Sequence, residues 1–243
     1  MKMIITTWDK SSHILKNFAF MADKYIPEFE VEILGYNIFP HISRNFKCIS
    51  VENLQRFWAS DYYAYMRTIT DEYVIFGTDD LLINRPVDYE VFDNVMEQMQ
   101  KDNEICRYEL GTGHCWHTWI NFIKNYPDWN IYEYGKGSEY RISTQLSVWR
   151  TEYLLKYLNH QWTPWQFELE GSKLANTDGK MIIATKGRYA FGYTHCLSTQ
   201  RYPGLVNVEG IKEEDIKEMI KLGMLDKDKL QLGDSANSKR YEG

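Results

Sequence analysis

Closely spaced cysteines are absent from this sequence, so neither a zinc site nor a disulfide framework is indicated. The four cysteines, Cys48, Cys106, Cys115 and Cys196, lie far apart, and no CxxC pair occurs. A structural zinc site or a disulfide framework would need closely and regularly spaced cysteines. Unpaired thiols are typical of a reducing compartment.

Long apolar runs and an excess of basic residues are missing too. No stretch approaches the ~18 apolar residues of a transmembrane helix, and the N-terminal residues are too few and too polar for a signal peptide. We therefore expect a cytoplasmic protein without a transmembrane segment. The net charge of −6 gives no basic field for a nucleic acid polymer, so a phosphorylated ligand would need a metal ion or local donors.

Glycine-rich phosphate loops are absent as well. No GxGxxG follows the first predicted strand, which argues against a dinucleotide-binding Rossmann site, and the lack of GxxxxGK[ST] excludes a P-loop. A nucleotidyltransferase would need a glycine-rich, basic loop after that strand. Residues 7–10, Thr-Trp-Asp-Lys, do not provide one.

Aromatic residues are abundant in this chain of 243 residues, which fits one large domain. They make up 15% of the sequence and include 8 Trp and 18 Tyr. Such side chains suit a protein that binds nucleobases or sugars, and they equally suit an aromatic-rich core. Composition leaves both interpretations open.

Short apolar runs alternate with amphipathic segments along the chain. This alternation predicts an α/β domain with a mostly parallel sheet and helices on both faces. The predicted strands cover residues 2–8, 31–36, 47–51, 72–78, 104–110, 144–149, 180–186 and 188–194. The predicted helices cover about 14–25, 52–67, 88–99, 116–124, 151–158, 164–176 and 209–222, and residues 126–142 are irregular with room for a hairpin.

Two adjacent carboxylates, Asp79 and Asp80, directly follow the apolar strand at 72–78. A buried carboxylate must meet a cation, a donor or water, and ligands in open α/β sheets lie beyond the carboxyl ends of strands. Such a pair can hold Mg²⁺ or Mn²⁺ together with phosphate oxygens, or accept hydrogen bonds from sugar hydroxyls. It can also belong to a structural turn.

Three stretches of the sequence have a recognisable pattern: Tyr73–Leu82 with Arg85–Asp88, Ser147–Arg150, and Thr163–Glu168. They resemble the GT-A fold glycosyltransferases, especially the small bacterial and large-DNA-virus members. The likeness spans about residues 2–200 and is most specific around 73–88 and 143–170. It implies an α/β, GT-A-like single domain with a central, mostly parallel mixed sheet flanked by helices. It also implies sugar transfer from a nucleotide-diphosphate donor to a glycan hydroxyl.

The resemblance divides the chain into functional parts. The domain would cover residues 1–225, with a nucleotide-binding half at about 1–110 and an acceptor half at about 111–200. The C-terminal helix at 209–222 would complete it. Residues 226–243 are polar, and we expect them to form a tail.

The resemblance also implies a metal site. Asp80 matches the usual metal ligand of the D-x-D tripeptide, and His195, at the end of a late strand, would complete the site with Mn²⁺ or Mg²⁺. A histidine there can equally be satisfied in the core or at the surface. This chain departs from the pattern, because Thr78 occupies the first acidic position and cannot be a strong ligand. Asp79 would then face the ribose or the donor sugar.

Further roles follow for the donor and the acceptor. If the transfer inverts the sugar configuration, Glu168 would take the proton from the acceptor hydroxyl, although a glutamate near a helix start is also stabilised by the helix dipole. Retaining and inverting GT-A enzymes share the donor site, so the resemblance leaves the stereochemical outcome open. Trp149 and Trp165 would stack on a sugar of the acceptor, although both can equally belong to the core. The residues expected at the nucleotide and diphosphate are Thr6, Thr7, Trp8, Tyr36, Arg67 and Asp79.

The resemblance therefore implies a metal-assisted hexosyl- or pentosyltransferase, and we favour a UDP-sugar over a GDP-sugar as donor. Its partners would be that donor and a glycan or glycoconjugate acceptor. The alternative is a non-catalytic module that binds carbohydrate or nucleotide sugar on the same fold.

Overall fold

The computed structural model describes residues 1–7, 13–36, 46–51, 57–111, 119–196 and 206–231. The strands are β1 (Met3–Thr6), β2 (Val31–Gly35), β3 (Phe46–Ser50), β4 (Tyr73–Thr78), β5 (Leu81–Arg85), β6 (Ile105–Glu109), β7 (Trp119–Asn125), β8 (Asn130–Tyr134), β9 (Ser147–Arg150), β10 (Met181–Lys186), β11 (Gly192–His195), β12 (Val206–Asn207) and β13 (Leu230–Gln231). The helices are α1 (Leu15–Tyr25), α2 (Trp58–Met66), α3 (Tyr89–Lys101), α4 (Thr151–Leu158), α5 (Pro164–Ala175) and α6 (Glu213–Lys221), with a 3₁₀ turn at Lys227–Lys229.

A nine-stranded sheet forms the centre of the molecule, in the order β3-β2-β1-β4-β9-β6-β10-β8-β7. Only β9 and β8 run against the other seven strands. The prediction of an α/β domain with a central, mostly parallel mixed sheet is therefore confirmed. Because seven strands share one direction, most of their carboxyl ends lie along one edge of the sheet, where ligands bind in open α/β folds.

The two faces of the sheet bury separate apolar cores. Alternate residues of β1 point to opposite faces, so that Met3 and Ile5 pack with α1, α3 and α6, whereas Ile4 packs with α2, α4 and α5. Helices thus cover both faces, as parallel strands require. No helix in the described ranges is long and apolar enough to cross a membrane.

Two helix starts follow the sequence signals directly. The Asp88 side chain accepts a hydrogen bond from the Val91 amide and caps α3. Thr163 and Gln166 form a reciprocal capping box at the start of α5, with Pro164 in the first turn. This box fixes the start of the helix that carries Glu168.

Several predicted elements differ from the structure. Residues 119–125 form strand β7 rather than a helix, because they pair with β8 and extend the sheet, and such pairing outweighs local propensity. Residues 81–85 form β5, which pairs with β11 in a separate two-stranded ribbon. Residues 230–231, expected in a polar tail, form a short strand with β12.

Candidate functional site

The carboxyl ends of β1 and β4 are joined side by side. The two strands are parallel with Thr6 opposite Thr78, and the Asp79 amide donates to the Thr6 carbonyl. The Thr7 hydroxyl donates to Asp79 Oδ2 at 2.5 Å, and the Thr6 hydroxyl donates to the Gly77 carbonyl at 3.2 Å. These side-chain oxygens link the two strands in a buried position. Contact of Thr6, Thr7 and Asp79 with a donor stays a prediction.

Asp80, unlike Asp79, faces outward. Its side chain is 25% exposed, whereas Asp79 is 3% exposed. The Thr78 hydroxyl donates to Asp80 Oδ1 at 2.5 Å. The residue that departs from the D-x-D pattern therefore orients the carboxylate of Asp80.

His195 lies beside Asp80 because β11 pairs with β5. In this antiparallel ribbon His195 is opposite Leu81, the residue after Asp80, and the Cys196 amide donates to the Asp80 carbonyl at 2.8 Å. His195 Nδ1 is 3.7 Å from Asp80 Oδ2, and the ring is 44% exposed. Two residues that are distant in the sequence are thus brought together by one strand pairing.

The pKa values of these two groups move in opposite directions. Loss of water contact would raise the pKa of Asp80, but His195 and the Thr78 hydroxyl outweigh it and lower the pKa below 3.8. Loss of water contact would lower the pKa of His195, but Asp80 outweighs it, with Glu168 and Glu109 adding to the effect, and the pKa rises above 6.5. The site therefore favours positive charge beside Asp80.

The donor set at this point fits a weakly held divalent cation. Asp80 and His195 offer one carboxylate oxygen and one imidazole nitrogen, a set that suits Mn²⁺. Within the described ranges, no group of three or more His, Cys, Asp and Glu side chains is arranged to hold a metal ion. A cation here would take its other ligands from water and from a bound diphosphate, so its presence stays a prediction.

Gln145 is a polar residue of the site that sequence reasoning missed. Its Nε2 is 2.6 Å from His195 Nε2, and its Oε1 accepts a hydrogen bond from the Tyr193 hydroxyl at 3.1 Å. β9 runs against β4, so residues just before Ser147 return to the carboxyl edge of the sheet. The sequence pattern placed Gln145 inside a strand at 144–149, whereas β9 begins at Ser147, so the pattern gave no signal for its place at the sheet edge.

Glu168 reaches the same edge from α5. Its Oε1 accepts hydrogen bonds from the Ser143 hydroxyl, the Thr144 amide and the Thr144 hydroxyl, at 3.1, 2.7 and 2.8 Å. Thr144 directly precedes Gln145, so Glu168 and His195 are held by adjacent residues of one segment. In the described parts of the chain, no hydrogen bond is made to Glu168 Oε2. The structure thus brings together three predicted residues: Asp80, His195 and Glu168.

The two tryptophans predicted at the acceptor occupy opposite environments. Trp165 is 60% exposed in the first turn of α5, one turn before Glu168. Trp149 is fully buried, and its ring packs near Phe167 and against the Arg107 guanidinium. The prediction that Trp149 stacks on an acceptor is therefore wrong, because no face of its ring is open. The position of Trp165 leaves its acceptor role a prediction.

Arg67 lies at the wrong edge of the sheet for a diphosphate partner. Along α2, Tyr62 donates to the Leu34 carbonyl near the end of β2, and Tyr65 donates to Glu32 near its beginning. Arg67 follows in the same direction, and Asp71 then pairs with the N-terminal amine before β1. The prediction for Arg67 is wrong, because α2 runs against the strands and carries its C-terminal end away from Asp80.

The remaining predicted nucleotide residues are Tyr36 and Trp8. Tyr36 follows β2 at the carboxyl edge, half-buried, and its hydroxyl donates to Asp61 at 3.0 Å. Its contact with a base stays a prediction. Trp8 lies outside the described residues.

A buried ion pair supports the segment that carries these groups. Arg107 Nη2 is 3.3 Å from Glu109 Oε2, and Arg107 Nη1 donates to the Arg141 carbonyl at 3.0 Å. Both side chains of the pair are fully buried. Segment 141–145, whose residues contact Glu168 and His195, is therefore attached to β6 through the Arg107 side chain.

Comparisons with known proteins found similarity at the level of structure alone. No protein-family description and no curated protein sequence matches the chain. One similar solved structure is S. aureus TarS 1–349 in complex with UDP, with 15% identity, a TM-score of 0.48, and 91% of this chain and 64% of that chain covered. The chain covers 60% of TarS 1–349 in a second TarS structure.

Two further solved structures are similar over different shares of the chain. A cytidylyltransferase from Leptospira borgpetersenii has 10% identity and a TM-score of 0.47, with 91% of this chain and 94% of that chain covered. An active-site mutant of LgtC has 12% identity and a TM-score of 0.36, with 66% and 60% covered.

Proposed function

We propose that this chain is a metal-assisted glycosyltransferase that moves a sugar from a nucleotide-diphosphate donor to a hydroxyl of a glycan or glycoconjugate. The observation that supports it most is the meeting of Asp80, His195 and Glu168 at the carboxyl edge of the sheet. His195 Nδ1 and Asp80 Oδ2 are 3.7 Å apart. Glu168 accepts a hydrogen bond from the Thr144 amide, and the next residue, Gln145, contacts His195. The sequence resemblance to GT-A enzymes assigns the same three residues.

In this proposal Asp80 and His195 hold a divalent cation, which would neutralise the charge that develops on the leaving diphosphate. The Thr78 hydroxyl keeps the Asp80 carboxylate turned toward His195. Asp79, with Thr7, fixes the strand ends from which Asp80 projects. Tyr36 lies on the same edge, beyond the end of β2, where a base or ribose would bind.

Glu168 would act as the general base for an attacking acceptor hydroxyl. Its Oε1 is occupied by three donors from residues 143 and 144, which hold the side chain in one orientation. Oε2 is then the oxygen available to the acceptor proton. Trp165 stands one turn earlier on α5, where its exposed ring could stack on the acceptor sugar.

A donor-hydrolysis assay tests the proposal. The chain is incubated with UDP-sugars, then GDP-sugars, in the presence of Mn²⁺, and release of free nucleoside diphosphate is measured. We expect release with at least one donor, loss of release in Asp80→Ala, and no change in the control Asp93→Ala, which alters an exposed carboxylate on α3. Tight donor binding without release would instead indicate the non-catalytic module. Formation of a nucleotide sugar from a nucleoside triphosphate and a sugar phosphate would indicate a nucleotidyltransferase.

A further inference from the structure

Gln145 sits between two groups that constrain its amide from both sides. The amide lies between His195 Nε2, at 2.6 Å from its nitrogen, and the Tyr193 hydroxyl, at 3.1 Å from its oxygen. Gln145 is 6% exposed, so its polar atoms need protein partners. On the far side of the same imidazole, Nδ1 points at Asp80 Oδ2.

The amide has two orientations that differ by a half-turn, and each selects a different state of His195. When its nitrogen faces His195, Nε2 must accept, and a neutral ring then carries its proton on Nδ1, the atom that faces Asp80. When its oxygen faces His195, Nε2 carries a proton and donates it. The Tyr193 hydroxyl can donate to the amide oxygen or accept from the amide nitrogen, so it satisfies both orientations.

Only the second orientation is compatible with a cation between Asp80 and His195. A metal bound at Nδ1 requires that Nδ1 be unprotonated, and the single proton of a neutral ring then sits on Nε2. Histidine ligands usually donate that second N–H to an oxygen acceptor, which fixes the tautomer and the ring orientation. The Gln145 amide, which is within hydrogen-bonding distance of Nε2, can provide such an oxygen when it turns by a half-turn.

We propose that Gln145 is a positioning residue for the cation site: with a divalent cation bound, its Oε1 accepts a hydrogen bond from His195 Nε2–H and so presents Nδ1 to the metal. The inference rests on the proposed function, because it takes Asp80 and His195 as the ligands. Tyr193 supports it from behind by accepting from the turned amide nitrogen. In this arrangement Gln145 acts on the cation through His195.

Gly111 explains why Tyr193 can occupy this place. A Cβ atom at residue 111 would lie 2.1 Å from the Tyr193 ring. Glycine is therefore required where the chain leaves β6, and the close approach lets the Tyr193 hydroxyl reach Gln145. The close packing of Tyr193 on Gly111 therefore places the Tyr193 hydroxyl at Gln145, which in turn contacts His195.

A Mn²⁺ titration followed by electron paramagnetic resonance, with UDP present at a fixed saturating concentration, tests the inference. We expect Gln145→Leu, which keeps the side-chain size but has no acceptor, to weaken Mn²⁺ binding by about 10- to 100-fold. Gln145→Glu keeps an oxygen acceptor for Nε2–H and should bind Mn²⁺ at least as tightly as wild type. Gln100→Leu, on the exposed side of α3, is the matched control and should bind as the wild type does.

Failure of the proposed metal site and failure of the Gln145 inference give different results in this titration. If His195→Ala binds Mn²⁺ as tightly as wild type, the metal site of the proposed function is wrong and the Gln145 inference falls with it. If His195→Ala weakens binding but Gln145→Leu stays within twofold of wild type, only the Gln145 inference is overturned.

A second measurement uses the unaltered protein, so it does not depend on a variant that folds. Nitrogen resonances of ¹⁵N-histidine-labelled wild type, recorded with Mg²⁺ and UDP, report which ring nitrogen of His195 carries the proton. A protonated Nε2 with an unprotonated Nδ1 supports the inference. A proton on Nδ1 in the loaded protein overturns it.

Discussion

Thr7 donates a hydrogen bond to Asp79 at 2.5 Å and so joins the ends of two strands that lie 72 residues apart in the sequence. The bond is buried, and it holds the Asp79 carboxylate within the edge of the sheet. Asp80 then points outward to His195. The two aspartates therefore have different tasks, the first in holding the edge and the second at the site.

Loss of the Thr7–Asp79 bond should destabilise the fold. Thr7→Val removes the donor and leaves the buried Asp79 oxygen with one partner fewer, which costs about 1–3 kcal/mol. Urea unfolding of Thr7→Val and of the control Thr70→Val, at an exposed threonine, checks this. Equal stability of the two variants would mean that the bond does not hold the strand ends together.

Glu168→Gln should separate the proposed catalytic role of Glu168 from its structural one. The amide oxygen still accepts from Thr144, so we expect the unfolding free energy to stay within about 1 kcal/mol of wild type. The amide cannot take a proton, so the transfer rate should fall by about 10²–10⁴-fold. Glu170→Gln, which changes a neighbouring glutamate paired with Lys173, is the control. A transfer rate in Glu168→Gln near that of wild type would remove Glu168 as the base.

The two tryptophans should respond to truncation in opposite ways. Trp149→Ala removes a fully buried ring and should cost about 3–5 kcal/mol of stability. Trp165→Ala removes a ring that is 60% exposed and should change stability by only about 0.5 kcal/mol. If Trp165 stacks on the acceptor, its loss raises the acceptor KM while donor hydrolysis is unchanged. An unchanged acceptor KM would end that assignment.

Arg67 should be dispensable for nucleotide binding. It lies at the edge of the sheet opposite Asp80 and is exposed near the Tyr63 ring. Arg67→Ala should therefore leave the UDP affinity within about twofold of wild type, because exposed charges at opposite edges of the sheet are largely screened from each other. Isothermal titration with UDP and Mn²⁺ measures this. A tenfold loss would contradict the direction of α2 described above.

Glu32 should make stability depend on acid pH. Its buried carboxylate accepts from Lys2 at 2.8 Å and from the Tyr65 hydroxyl at 2.5 Å. Burial alone would raise the pKa of Glu32, but these two donors outweigh it and lower the pKa below 4.5. A lowered folded-state pKa stabilises the fold above the unfolded pKa, and this contribution disappears as the pH falls through the folded value.

Unfolding of wild type and Glu32→Gln across pH 3–7 measures the Glu32 effect, taking about 4.3 as the pKa of an unfolded glutamate. We expect wild type to be more stable than Glu32→Gln near pH 7, with a difference that shrinks below that pKa. Glu30→Gln alters an exposed neighbouring glutamate and should show a much smaller change. A difference that grows as the pH falls would contradict the direction of the shift.

Local sequence signals determined much of the fold. The apolar run 73–78 reads as a buried strand because every residue of it is apolar, aromatic, glycine or threonine, and the capping residues of α3 and α5 act on amides only three residues away. These are short-range effects that a pattern can express. The adjacent carboxylates after β4 likewise marked the edge of the sheet, because carboxylates need donors, cations or water, and Asp79 meets such a donor in Thr7, as Asp80 does in Thr78.

Only the tertiary structure decided which distant residues meet there. His195 reaches Asp80 through the pairing of β5 with β11, and Gln145 reaches His195 because β9 runs against its neighbours. The same kind of long-range geometry buried Trp149 and carried Arg67 to the opposite edge. Strand pairing and helix direction depend on the whole sheet, so one segment cannot encode them. The sequence by itself determined where the site's carboxylates stand in the chain, and the packing of the sheet determined their partners.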